Sequence, residues 1–210
     1  SSDNRRVVLK TLRGPRPSPE SQERLRREHE FTQLASGQGS VECLDFLSDD
    51  EPALVLPDRG GQSLARADAD GPLEIDDGLH IAEQVAKTLA RIHGANIIHK
   101  DICPGNITWN PESGDVEIID FGISSRLERH EARGESIESL LGTLAYMAPE
   151  QSGRMNRSVD SRSDLYSLGA TLYHLVTGRP PFVATDPLDL LHAHLDRVPN
   201  PVADVFDGVP

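Results

Sequence analysis

The sequence predicts an α+β fold in two segregated lobes, with strands gathered early and the strongest helices late. Two observations carry that expectation. Short β-branched or apolar runs fall at residues 7–9, 41–47 and 53–56. Beyond them, apolar residues recur at helical spacing over two long stretches bounded by Gly and Pro signals.

The first run, Val7-Val8-Leu9, reads as a strand that ends in Lys10. Breakers follow from Gly14 to Pro19 and dictate a loop. Ser18 before Pro19 is an N-cap with proline at the first helical position, so a charged helix is expected from Glu20 to about Ala35, burying Leu25, Phe31 and Leu34. Residues 41–47 and 53–56 read as strands around the acidic turn 48–52. Gly60-Gly61 then breaks the chain as a hinge, dividing a partial small lobe (1–59) from a large lobe (60–210). Leu79, Ala82, Val85, Ala86, Leu89 and Ile92 mark an amphipathic helix. Ile97-Ile98 reads as a short strand, and 107–109 and 116–119 as two more around the turn 111–114. A second apolar helix is expected over 164–177, stopped by Gly178 and Pro180-Pro181, and a last one over 187–197.

The 210 residues are enough to bury a core. A formal charge of −13 excludes a nucleic-acid or anionic-membrane binder, because neither polyanion attracts a net acidic surface. It leaves room for a nucleotide site, which needs only local cations. Cys43 and Cys103 are too few for a disulfide framework and match no zinc spacing, which implies a reducing, cytoplasmic setting. The apolar run 167–178 is too short to cross a bilayer, and no signal-peptide core follows the N-terminus.

Four segments carry the chemistry, and their order matters more than any one of them. They are His99-Lys100-Asp101-Ile102-Cys103-Pro104-Gly105-Asn106, then Asp120-Phe121-Gly122, then the run from Gly142-Thr143 to Ala148-Pro149-Glu150, then Asp164-Leu165-Tyr166-Ser167-Leu168-Gly169. In that order they resemble the catalytic loop, metal-binding motif, activation-segment end and buried large-lobe helix of eukaryotic-like serine/threonine protein kinases. The resemblance covers nearly the whole chain and implies the bilobal kinase fold, with transfer of the ATP γ-phosphate to Ser or Thr hydroxyls of a protein.

By that resemblance Asp101 takes or orients the hydroxyl proton, while Asn106 and Asp120 hold Mg²⁺ against the phosphates. Lys10 matches the lysine that grips the α- and β-phosphates. Glu28 is its best acidic partner, with Glu30 as the rival. Val8, Leu56 (as gatekeeper), Pro57 and Arg59 match the adenine-facing wall and hinge, where the Pro57 carbonyl and the Arg59 N–H are used. Thr143 marks Ser/Thr rather than Tyr specificity. Ser124, Ser125, Ser136, Ser139 and Thr143 are candidate phosphate acceptors.

Three departures limit the match. Lys100 stands where kinases usually have Arg, so the charge survives without the bidentate fork. Cys103 stands where Ser/Thr kinases usually have the lysine that stabilises the transferring phosphate; such a loss could cost on the order of 10²–10³ in rate. Nine residues before Lys10 are too few for a glycine-rich loop, and the last kinase helices are missing, which implies a domain truncated at both ends and leaves Glu150 without its usual arginine. The run Arg154-Met155-Asn156-Arg157 and the His-Lys-Asp loop look like the kinase domain of very large signalling proteins that also carry ATPase, sensor and histidine kinase modules, so further domains of a longer parent chain are expected. Two other readings stay open: a pseudokinase acting as a binding module, and a small-molecule phosphotransferase.

Overall fold

A computed structural model of the chain describes residues 6–12, 17–37, 39–48, 51–67, 71–122, 142, 144–153 and 157–205. Strand β1 (Val7–Thr11) is followed by helix α1 (Pro19–Ala35), then β2 (Asp45–Leu47) and β3 (Ala53–Pro57). These strands form one antiparallel sheet in the order β1-β3-β2. The register sets Val8 opposite Leu56 and Lys10 opposite Leu54.

After Gly60 (φ 75°) the chain enters β4 (Gln62–Ser63), α2 (Leu64–Ala67) and α3 (Ile75–Gly94). A second antiparallel sheet, β4-β5-β6, adds β5 (Ile107–Trp109) and β6 (Val116–Ile118). Helices α4 (Ser161–Thr177) and α5 (Pro187–Asp196) complete the regular elements that bear on the site.

Capping chemistry places most helix ends. The Ser18 hydroxyl accepts the Ser21 N–H at 3.1 Å, as its N-cap position demands. Helix α4 starts three residues before the expected Asp164, because Asp160 caps it by accepting the Arg162 N–H at 2.9 Å. It ends at Gly178 in the left-handed conformation, φ 72°. Asp186 caps α5 one residue before Pro187.

The main core joins α3, α4, β5 and β6 around Ile81, Leu89, Ile92, Ile107, Ile118 and Phe121. Each fully buried aliphatic side chain of this kind contributes roughly 1.5–3 kcal/mol relative to exposure. Close approach of α3 to α4 requires Gly78, where a Cβ would lie 3.0 Å from a Val176 methyl. A smaller cluster packs Leu144, Ala145 and Tyr146 against Ala170 of α4 and Leu190 of α5.

Several expected details differ. Leu25 is buried and Phe31 packs partly buried against the core as expected, but Leu34 is 58% exposed, and Glu28, Thr32 and Ala35 join Leu25 on the inward stripe. Leu79 is 54% exposed and Ala86 is exposed, because α3 is rotated to turn Gly78, Ile81, Val85 and Thr88 inward. The strand expected over 41–47 shortens to Asp45–Leu47, since Val41 leaves the first sheet to donate its N–H to Ile118 at 2.9 Å. Among the described residues Ile97 and Ile98 belong to neither sheet, although Ile98 makes an isolated β-bridge, and the Ile97 N–H closes back on the Ile92 carbonyl at 3.0 Å.

Candidate active site

Alternation along β1 puts Val8 and Lys10 on one face, and the register adds Leu54 and Leu56 to it. Lys10 Nζ lies 2.5 Å from Glu28 Oε1 and 2.8 Å from Asp120 Oδ1. Glu28, and not Glu30, is therefore the partner that α1 delivers; it is 5% exposed. One ammonium serves two carboxylates. Burial lowers the Lys10 pKa, but the charges of Asp120 and Glu28 outweigh it and leave Lys10 above its ordinary value. Burial raises Asp120, yet Lys10 more than offsets this and holds it below the usual carboxylate range. Glu28 is pushed up by burial and by the Asp120 charge. A cavity of about 200 Å³ opens beside this triad, lined by Lys10, Leu12, Arg24, Leu25, Glu28 and Asp120.

Asp120 has a positive φ of 65°, and its Oδ1 accepts the Gly122 N–H at 3.1 Å. A Cβ on Gly122 would sit 2.9 Å from Asp120 Oδ1 and 3.2 Å from Glu28 Oε2. Only glycine lets the two acids approach this closely.

Asp101 and Asn106, from the loop 99–106, face the same region. Asn106 Nδ2 donates to the Asp101 carbonyl at 2.9 Å and to Asp101 Oδ2 at 2.8 Å. Burial raises the Asp101 pKa and the Asp120 charge adds to it, against the opposing effects of His99 and Asn106. His99 is wholly buried, packs edge-on to Phe121 at 4.9 Å, and spans from the Asp101 N–H to the Ile119 carbonyl. Asn106 and Asp120 thus offer an amide oxygen and a carboxylate, hard donors that suit Mg²⁺. The mutual repulsion of Asp101 and Asp120 is what a cation there would relieve. Among the described residues no group of three or more His, Cys, Asp or Glu is placed to hold a metal ion.

Three residues that sequence reasoning gave no such part hold this loop. Asp164, buried in the first turn of α4, accepts the N–H groups of His99 at 2.9 Å and Lys100 at 2.7 Å, and lies 2.7 Å from His93 Nε2. Gln151 complements it by donating its Nε2 to the Lys100 carbonyl at 2.8 Å. An acid inside an apolar helical run was a legible signal for Asp164; nothing in the pattern marks Gln151 or His93.

On the hinge side, Leu56 is partly buried against the main core, and Val8 opposite it is 48% exposed. Asp58 donates its N–H to the Arg6 carbonyl at 3.1 Å, which carries the strand pairing just past Pro57. Arg59 turns its guanidinium to Glu42 and Glu117, each at 3.4 Å. Cys103 is partly buried against the Leu144–Leu190 cluster, and burial, then the Asp101 charge, pushes its thiol up to about 12. Glu150 is not left without a partner: the Ser163 hydroxyl donates to its Oε1 at 2.5 Å. Thr143, Ser124, Ser125, Ser136, Ser139 and Arg154-Met155-Asn156 lie outside the described residues.

Comparison with known proteins agrees with this geometry. The protein kinase domain family matches residues 1–203. A probable serine/threonine-protein kinase of Corynebacterium efficiens, CE0033, is 32% identical over 98% of this chain and 32% of its own length. The DNA damage-responsive serine/threonine-protein kinase RqkA of Deinococcus radiodurans is 35% identical over 98% of this chain and 31% of its own. Serine/threonine-protein kinase pkn2 of Myxococcus xanthus is 35% identical over 86% of this chain and 22% of its own. The chain spans about a third or less of the length of these curated relatives. No helix among the described residues is long and apolar enough to cross a membrane. With the family matched across nearly its whole length, the chain belongs to the protein kinase domain family.

Proposed function

We propose that the protein carrying this domain transfers the γ-phosphate of ATP to Ser or Thr hydroxyls of a protein substrate, as part of a longer cytoplasmic signalling chain divided at 59/60 into small and large lobes. The observation that supports this best is the convergence of Lys10, Glu28 and Asp120 on one ion cluster beside the Asp101–Asn106 pair. Glu28 holds the Lys10 ammonium where it meets the α- and β-phosphates, with Val8, Leu56, Pro57 and Arg59 around the base. Asp101 takes the proton of the attacking hydroxyl as its oxygen bonds to the γ-phosphorus. The bond from phosphorus to the β–γ bridging oxygen breaks, and that oxygen leaves on ADP with the electron pair. A raised pKa makes Asp101 a better proton acceptor than an ordinary aspartate. Asn106 both steers Asp101 and, with Asp120, would hold Mg²⁺, which when bound neutralises charge on the phosphates. Thr143, in the Gly-Thr before Ala-Pro-Glu, is the residue that points to Ser/Thr rather than Tyr specificity.

Labelled-phosphate transfer by the full-length protein, wild type against Asp101→Asn, tests this reading. Transfer that vanishes in the variant is expected, and equal transfer in both would sink it. Cys103 favours a second reading, a pseudokinase that binds nucleotide without chemistry, because no cation stands at that place. Stabilisation of about 2.7 kcal/mol by Mg-ATP at a hundred times its Kd, with no transfer, would select it.

A further inference from the structure

Helix α1 presents Glu28 to Lys10, yet its last turn contains no basic residue to meet the carbonyls that end it. The cation comes from elsewhere. Arg91, on α3, donates Nη1 to the Ala35 carbonyl at 2.6 Å and to the Ser36 carbonyl at 3.3 Å. Its Nη2 hydrogen-bonds the Ser40 hydroxyl, which itself donates to Ala35 O at 2.9 Å. A single planar guanidinium thus engages the helix end and the turn that follows it, a task for which a lysine ammonium lacks the fork.

The turn is shaped to admit this contact. Gly37 has φ 146°, and a Cβ there would meet the Arg91 guanidinium carbon at 3.1 Å. Gly39 has φ 84°, and a Cβ would meet Thr88 Oγ1 at 2.0 Å. Neither position accepts a side chain while the turn rests on α3. Beyond it, the Ile118 N–H donates to Gly39 O at 2.8 Å and the Val41 N–H to Ile118 O at 2.9 Å. Ile118 ends β6, two residues before Asp120. The carbonyl end of α1 is therefore tied to α3 by Arg91 and to the strand that delivers Asp120 by backbone pairing. Glu28 lies two turns back along α1, roughly 10 Å from Ala35 at 1.5 Å per residue, so a rotation or slide at the helix end is carried to its carboxylate.

We propose that Arg91 is a positioning residue for phosphoryl transfer: it caps the carbonyl end of α1 from the large lobe and so fixes the helix that brings Glu28 to Lys10 and Asp120. This rests on the catalytic reading above. In the full-length protein, Arg91→Met is expected to lower kcat by about 10- to 100-fold, in line with the cost of a misplaced site, with the KM for the protein substrate unchanged. Arg91→Lys should recover part of the loss. In a Glu28→Gln background Arg91→Met should add less than about twofold, because the group it positions is already lost. Hydrogen exchange at the amides of residues 33–41 should accelerate in Arg91→Met without a matching rise in β6. An undiminished loss in the Glu28→Gln background overturns the proposal, as does an unchanged kcat per folded molecule. Should the wild type transfer no phosphate, the catalytic reading fails on its own; unchanged exchange at residues 33–41 would independently remove the cap.

Discussion

The carboxylate of Asp164 accepts the Lys100 N–H at 2.7 Å, and Lys100 holds a left-handed φ of 69°. A non-glycine residue in that conformation costs of order 1–3 kcal/mol and persists only where its surroundings over-determine it. Asp164 does so while wholly buried, with His93 beside it. Asp164→Asn keeps the shape but turns an amide N–H₂ toward a backbone donor. The expected cost is about 1–3 kcal/mol in urea unfolding, with a loss of transfer larger than the unfolded fraction explains. Unchanged stability would show that the carboxylate does not hold the loop.

Gly122→Ala tests how tightly the acids are set. The added Cβ falls 2.9 Å from Asp120 Oδ1, so either Asp120 or Glu28 must retreat from Lys10. Overpacking of this kind costs about 1–3 kcal/mol. Because the displaced atoms are those proposed to meet phosphates, transfer should fall at least tenfold while the far-ultraviolet dichroism stays that of the wild type. A fully active Gly122→Ala protein would mean the Lys10–Asp120 contact is not the working one.

Much of this site was legible in the sequence because kinase chemistry is spread over short, local motifs. The Ser18 and Gly178 caps are local signals and sit at helix ends, while the Asp101–Asn106 and Lys10–Glu28 pairs rest on the family resemblance, and the structure brings each pair into hydrogen-bond contact. What escaped were contacts made across the chain. Periodicity counts Leu34 as core because it is apolar, whereas α1 turns toward the ion cluster and buries Glu28 and Thr32. Arg91, Gln151 and Ser163 act through hydrogen bonds to carbonyls, a hydroxyl or a carboxylate elsewhere in the chain, which no spacing rule reveals.

His194 gives a pH test of the lower lobe. It is 6% exposed, its Nδ1 lies 2.7 Å from the Tyr166 hydroxyl, and it packs edge-on to Phe182 at 5.0 Å. Burial lowers its pKa, only partly opposed by the Leu144 backbone. The folded form thus binds the proton less readily than the unfolded chain. Its contribution to stability is complete above the ordinary histidine pKa and is lost as pH falls below it. The Tm should decline from neutral to mildly acidic buffer, and that decline should be smaller in His194→Gln. An identical slope in both proteins would place the titration elsewhere.

Cys103 gives the sharpest chemical test of the departure from the kinase pattern. Only a thiolate alkylates readily, and a thiol pushed from 9.0 up to about 12 has roughly a thousandfold less thiolate at neutral pH. Native protein treated with iodoacetamide should therefore leave Cys103 almost unmodified, and unfolding in urea should release it to react at the rate of a free cysteine. Cys43 supplies an internal comparison, since its thiol is also raised by burial yet less enclosed. Peptide mass mapping reads both sites in one experiment. Fast native labelling of Cys103 would mean its sulfur faces the phosphate site rather than the apolar cluster, and the side chain would then bear directly on transfer instead of merely replacing a cation.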